Sequence, residues 1–176
     1  MLSRLALPLL LILATPASAA VTITFYSKEF GTNFPHAFVA TSGATDADPA
    51  TPVDYTYGFT AKTVSPAILM GPVYGHVEYV KPGYMASSDP QFSLVLTDHQ
   101  YRAVLATIEK WRALPGKSYE LNTRNCVFFV GDIARAIGLT VVDDPKLMKK
   151  PRSYLVNLRK LNPQVQPMSA AAQTVR

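Results

Sequence analysis

Short runs rich in β-branched and aromatic residues recur between residues 21 and 97, and helical periodicity begins only near Thr97. That order, strands first and helices afterwards, points to an α+β domain with helices packed on an antiparallel sheet. Five runs read as strands. They are residues 21–27 (VTITFYS), 34–41 (FPHAFVAT), 55–64 (YTYGFTAKTV), 73–80 (VYGHVEYV) and 92–97 (FSLVLT). In the second run Phe34, His36, Phe38 and Ala40 share one face, with Ala37 and Val39 on the other. Apolar side chains on both faces predict a central strand covered on both sides. Gly58 interrupts the third run and predicts a bulge or a close approach there. Residues 42–54 read as a surface loop, and 65–72 as a connector punctuated by Pro66, Gly71 and Pro72.

Two main helices are expected. Thr97 and Gln100 form a capping box before Tyr101, Val104, Leu105, Ile108 and Trp111, and Pro115-Gly116 ends that helix. The second runs over 125–137, with Cys126, Phe129, Val130, Ile133 and Ile137 in one stripe and Gly138 as the stop. The chain of 176 residues is long enough to bury one sizeable core, so residues 20–161 are expected to form a single domain. Residues 162–176, rich in Pro, Gln, Ala and Ser, are expected to form a flexible tail.

The first nineteen residues read as a secretory signal peptide: Arg4, an apolar run over 5–14, then Ala17-Ser18-Ala19 as the cleavage site. The apolar run is too short for an ordinary membrane span, and no cysteine follows to carry a lipid anchor. The alternative is an uncleaved anchor lying in the membrane interface. Export to a periplasm or to the exterior is the expectation. A formal charge of +5 without a dense basic stretch argues against a nucleic-acid partner.

A single cysteine excludes an intrachain disulfide framework and every multi-cysteine metal cage. In an exported chain it also draws attention, because secreted proteins tend to pair their thiols or lack them. Asn125 and Cys126 stand where the second helix begins, and the unpaired N–H groups of a helix start stabilise a thiolate and a developing oxyanion. The plainer readings are Asn125 as a helix cap and Cys126 as a small buried hydrophobe. His36, in the middle of a central strand, must find a polar partner or bear an uncompensated desolvation cost. If its face packs against the second helix, His36 can accept the thiol proton; otherwise it is a hydrogen-bonded structural histidine. Tyr57, Thr60, His76 or Glu78 are the candidates to orient its ring, although His76 and Glu78 read more readily as a solvent-facing edge. His99 is expected to be exposed. The three histidines lack the spacing of a helical zinc motif, so neither a metal nor another cofactor is expected.

With PHAFV at 35–39 and RNCVFFVGDIARAIGL at 124–139, the chain resembles the circularly permuted branch of NlpC-type papain-fold proteins. That branch includes the lecithin:retinol acyltransferase-like enzymes, in which the histidine strand precedes the cysteine helix. The resemblance spans about residues 21–140 and rests on these two short motifs. It implies a permuted papain-like fold with Cys126 as nucleophile and His36 as base. It also implies a third polar residue on the strand after the histidine, where this chain departs from the pattern by offering Tyr57 and Thr60. The implied activity is that of an exported thiol hydrolase or acyltransferase acting on an amide or ester. Cell-wall peptides and lipid or other acyl groups are the implied substrates. The alternative is a secreted binding module that keeps the fold without turnover.

Overall fold

A computed structural model describes residues 19–29 and 34–167. The expected signal peptide, apart from Ala19, and the part of the expected tail beyond residue 167 lie outside the described residues. The strands are β1 (Val21–Lys28), β2 (His36–Gly43), β3 (Val53–Ala61), β4 (Gly75–Glu78), β5 (Asp89–Leu96) and a two-residue β6 (Gln166–Pro167). The helices are α1 (Pro82–Ala86), α2 (Asp98–Arg112), α3 (Cys126–Ala136) and α4 (Pro151–Leu161), with a short 3-10 turn over Pro66–Leu69. All pairings are antiparallel, in the order β4-β3-β2-β1-β5-β6. The α+β class with an antiparallel sheet is therefore as expected. No helix among the described residues is long and apolar enough to cross a membrane.

The main core lies between one face of the sheet and α2, α3 and α4. Ile23, Phe25, Val39, Phe59 and Phe92 from the strands meet Val104, Ile108, Phe129, Ile133, Leu155 and Leu158 from the helices. Trp111 closes one end, edge-on to Phe59 at 4.7 Å and to Phe129 at 5.4 Å, while its indole N–H donates to Asp132 at 3.0 Å. That hydrogen bond lets the tryptophan be buried without stranding its polar atom. A smaller cluster of Tyr26, Phe38 and Val80 occupies the opposite face, beneath Tyr84 and Met85 of α1. Both faces of β2 are thus covered.

The caps of α2 and α3 form where the local sequence places them. Thr97 accepts from the Gln100 N–H at 3.2 Å, and Gln100 accepts from the Thr97 N–H at 3.0 Å. Gln100 also donates to the Ile137 carbonyl at 2.8 Å, tying the start of α2 to the end of α3. Gly138 follows with a φ of 88°, the left-handed conformation in which a side chain would be strained.

Four expectations change. The helices number four rather than two, because α4 and the short α1 form in stretches that carry no strong cap signal. In α4 the entry is marked by Pro151 at the first turn, and Tyr154, Leu155 and Leu158 supply the buried stripe. The fourth strand shrinks to Gly75–Glu78, and the fifth starts early, at Asp89. The segment from 162 to 167 packs against the domain rather than leaving it. Asn162 and Val165 are buried, and β6 pairs with Phe92 and Ser93 of β5. The Asn162 amide accepts from the Thr140 N–H and donates to the Thr140 and Leu158 carbonyls, each at 2.8 Å. Asn162→Ala strands these groups and is expected to lower stability by about 2 kcal/mol in urea unfolding. A change within about 0.5 kcal/mol would place the segment outside the cooperative unit.

Candidate active site

Cys126 is the first residue of α3, and Asn125 is its cap. The Asn125 side chain accepts from the Val127 N–H at 2.7 Å and donates to the Leu121 carbonyl at 2.7 Å and the Met148 carbonyl at 2.8 Å. One buried amide thereby joins the helix start to the loop before it and to the chain leading into α4. Asn125 is a structural cap as well as the neighbour of the thiol.

The thiol itself is buried, with 5% of the residue exposed. Burial pushes it up to about 11, while the backbone N–H groups of Ala37, Cys126 and Val127 pull the other way. Helix-start stabilisation is therefore present, but desolvation outweighs it. The sulfur lies against the main chain of Ala37, the residue that follows His36.

His36 is the first residue of β2, not a mid-strand residue, and α3 packs on the opposite face of that strand, against Ala37 and Val39. The expected face-to-face pairing with α3 is not formed; His36 at the strand end and Cys126 at the helix start instead line one cavity. The imidazole packs near Phe38 at 6.1 Å and edge-on to Tyr84 at 6.3 Å. It reaches across β3 above Gly58, where a Cβ would stand 2.6 Å from Nε2. Gly58 is the close approach anticipated from the sequence: it leaves the ring room to face β4. There Glu78 Oε1 lies 3.8 Å from Nε2, too far for a hydrogen bond, and Nε2 is buried without a partner. Burial lowers the imidazole to about 4, so it is neutral at pH 7. Glu78 is half-buried, and desolvation raises its carboxyl above the ordinary range against the opposing influence of His76 and Lys81.

The cavity has a volume of about 590 Å³. Cys126, His36, Glu78, His76, Tyr84 and Tyr119 all border it. Of the orienting candidates, Thr60 and His76 line the cavity and face each other across β3 and β4. His76 holds its Nδ1 buried without a hydrogen bond. Tyr57 does not reach the cavity: it is buried in the main core, with the Arg112 guanidinium 5.7 Å from its ring centre. The carboxylate beside the imidazole is Glu78, which the alternating pattern placed more readily on a solvent-facing edge. Its signal was the pairing of Phe38, Gly58 and Glu78 across three strands, which no single strand displays. His99 is exposed at the start of α2. Among the described residues no group of three or more His, Cys, Asp or Glu side chains is placed to hold a metal ion.

Compared with family models, curated proteins and solved structures, the chain matches none of them.

Two outcomes follow from the buried imidazole. As pH falls, the unfolded chain takes the His36 proton near its ordinary value of 6.5, before the folded protein does near 4. The neutral ring therefore contributes stability that is complete above pH 6.5 and is lost as pH falls toward 4, by about 3 kcal/mol. The raised Glu78 carboxyl acts with the opposite sign, losing stability as pH rises above its unfolded value of 4.5. His36→Gln should accordingly lose about 3 kcal/mol less than the parent between pH 6.5 and 4 in denaturant titrations. Gly58→Ala should displace the ring toward water and return its NMR titration midpoint toward 6.5; an unmoved midpoint would mean that the ring does not depend on this gap.

Proposed function

We propose that the protein is an exported thiol hydrolase or acyltransferase of permuted papain-like type, which cleaves an amide or ester through an acyl-Cys126 intermediate. The observation that carries this reading is the convergence of Cys126, at a helix start, and His36 on one cavity of about 590 Å³. Glu78, beyond the far nitrogen of the imidazole, is the orienting group in this reading. With Nε2 turned to Glu78, Nδ1 is the nitrogen left to serve the thiol.

The chemistry needs no charge at rest. A thiol near 11 and an imidazole near 4 remain neutral together, so proton transfer must accompany attack rather than precede it. His36 takes the thiol proton as sulfur bonds to the carbonyl carbon, and the carbonyl oxygen gains the negative charge. The Cys126 N–H, at the first position of α3, has no carbonyl of its own helix to bond; it faces the sulfur at rest and in this reading turns to that oxygen. His36 then returns the proton to the departing amine or alcohol as the acyl–nitrogen or acyl–oxygen bond breaks. Water, or an acceptor hydroxyl or amine, attacks the thioester and releases the acyl group, restoring the thiol.

The same neutral pair also favours a second reading, a secreted binding module that holds its ligand in this cavity without turnover. Incubation with p-nitrophenyl octanoate, followed by intact-mass and peptide mapping, separates the two. The enzyme reading expects acylation at Cys126, none in Cys126→Ala, and acylation slowed about a hundredfold or more in His36→Gln. Binding without any acylation would leave the module. In the resting protein, iodoacetamide should modify Cys126 slowly at pH 7 and faster toward pH 11, because burial holds the thiol protonated. Rapid modification near neutrality would show that the thiolate is already formed.

A further inference from the structure

The lining of the cavity that holds Cys126 carries two kinds of side chain. Some are apolar: Ile68 and Val80 are buried, and Phe34, Val64 and Leu69 stand 37%, 57% and 64% exposed. Others are cationic. Lys62, Lys81 and Lys149, all exposed, come from three separate stretches: just past β3, just past β4 and just before α4. None has a carboxylate within salt-bridge distance among the described residues, where Arg112 pairs with Glu109 and Arg135 with Asp132 and Asp143; Lys81 is close enough to Glu78 only for its charge to be felt there. Lys149 donates to the neutral amide of Asn122 at 3.0 Å. Glu78 is the one carboxylate on the lining among the described residues, and it faces His36 at 3.8 Å rather than pairing with a lysine.

Three lysines against the single lining carboxylate, Glu78, leave the cavity with an excess of positive charge among apolar side chains. A neutral ligand would leave that charge unanswered, and a purely ionic one would leave the apolar side chains wet. Resting on the reading of Cys126 as the acyl-accepting nucleophile, we infer that the cavity takes a small anionic amphiphile. Its apolar acyl chain lies along Phe34, Val64, Ile68 and Leu69, and its leaving group carries a carboxylate or phosphate held by Lys62, Lys81 and Lys149. In the acyl transfer the acyl–nitrogen or acyl–oxygen bond breaks as the acyl–sulfur bond forms. The proton moves from the thiol through His36 to the leaving amine or alcohol, which departs with its anion intact. Water then cleaves the thioester to a carboxylic acid and the free thiol.

The test uses N-octanoylglycine, its neutral carboxamide and octyl phosphate, with binding measured by calorimetry on Cys126→Ala and turnover on the parent protein. The inference expects the carboxylate to bind Cys126→Ala about tenfold or more tightly than the carboxamide, with the preference shrinking as salt rises. It expects the preference to vanish when Lys62→Gln, Lys81→Gln and Lys149→Gln are added together. Octyl phosphate binding more tightly than N-octanoylglycine would identify the anion as phosphate, and the reverse would identify it as carboxylate. Equal binding of acid and carboxamide would overturn the inference even if the parent acylates Cys126. Lysine-dependent preference without acylation of the parent would support the anion site and overturn the hydrolase reading. The two failures are therefore distinguishable.

Discussion

The Asn125 side chain is the hinge on which the candidate site depends. Its amide satisfies the first turn of α3 and at the same time bonds two carbonyls, Leu121 before the helix and Met148 before α4. A buried amide with three partners is costly to disturb, since each orphaned group bears its own desolvation penalty. This arrangement holds the start of α3 against the end of β2, where Cys126 meets the main chain of Ala37. Without that anchor, the thiol would have no defined relation to His36 on the neighbouring strand end.

Burial then sets the chemical character of the pair. Both side chains lose water, and both are driven to their neutral forms: the thiol upward, the imidazole downward. The backbone N–H groups around the sulfur oppose this without overcoming it. A neutral pair at rest is compatible with catalysis only when a substrate carbonyl provides the place where charge can develop. The lysines on the cavity lining belong to the same electrostatic setting, because an anionic ligand would offset their charge and exclude water from the thiol.

Much of the architecture was legible from local pattern. The capping box at Thr97 and Gln100, the Asn125 cap and the Gly138 stop are encoded by neighbouring residues, and α2 and α3 form accordingly. The alternating runs at β1, β2 and β3 announce themselves in the same way, and Gly58 was readable as a close approach. Less legible were α1 and α4, whose first residues after the cap are prolines and whose caps make no side-chain bond. Pairing with β5 draws residues 166–167 into the sheet, a long-range contact that a Pro-, Gln- and Ala-rich segment does not advertise. Tyr57 was a plausible orienter from its strand alone, yet its side chain falls on the helix-covered face and enters the core.

The sequence by itself determined the α+β order of elements, the helix start at Cys126 and the polar character of His36, because caps and periodicity are short-range properties. Tertiary structure alone decided that His36, at a strand end, and Cys126 border one cavity rather than facing each other across a packed interface. It also decided that Glu78 instead of Tyr57 lies beyond the imidazole and that three distant lysines share the cavity. These depend on strand register and on which face each side chain occupies, and register is a relation between segments that no segment carries alone. Desolvation is likewise a property of the assembled surroundings, which is why the lone thiol proved to be held in its neutral form.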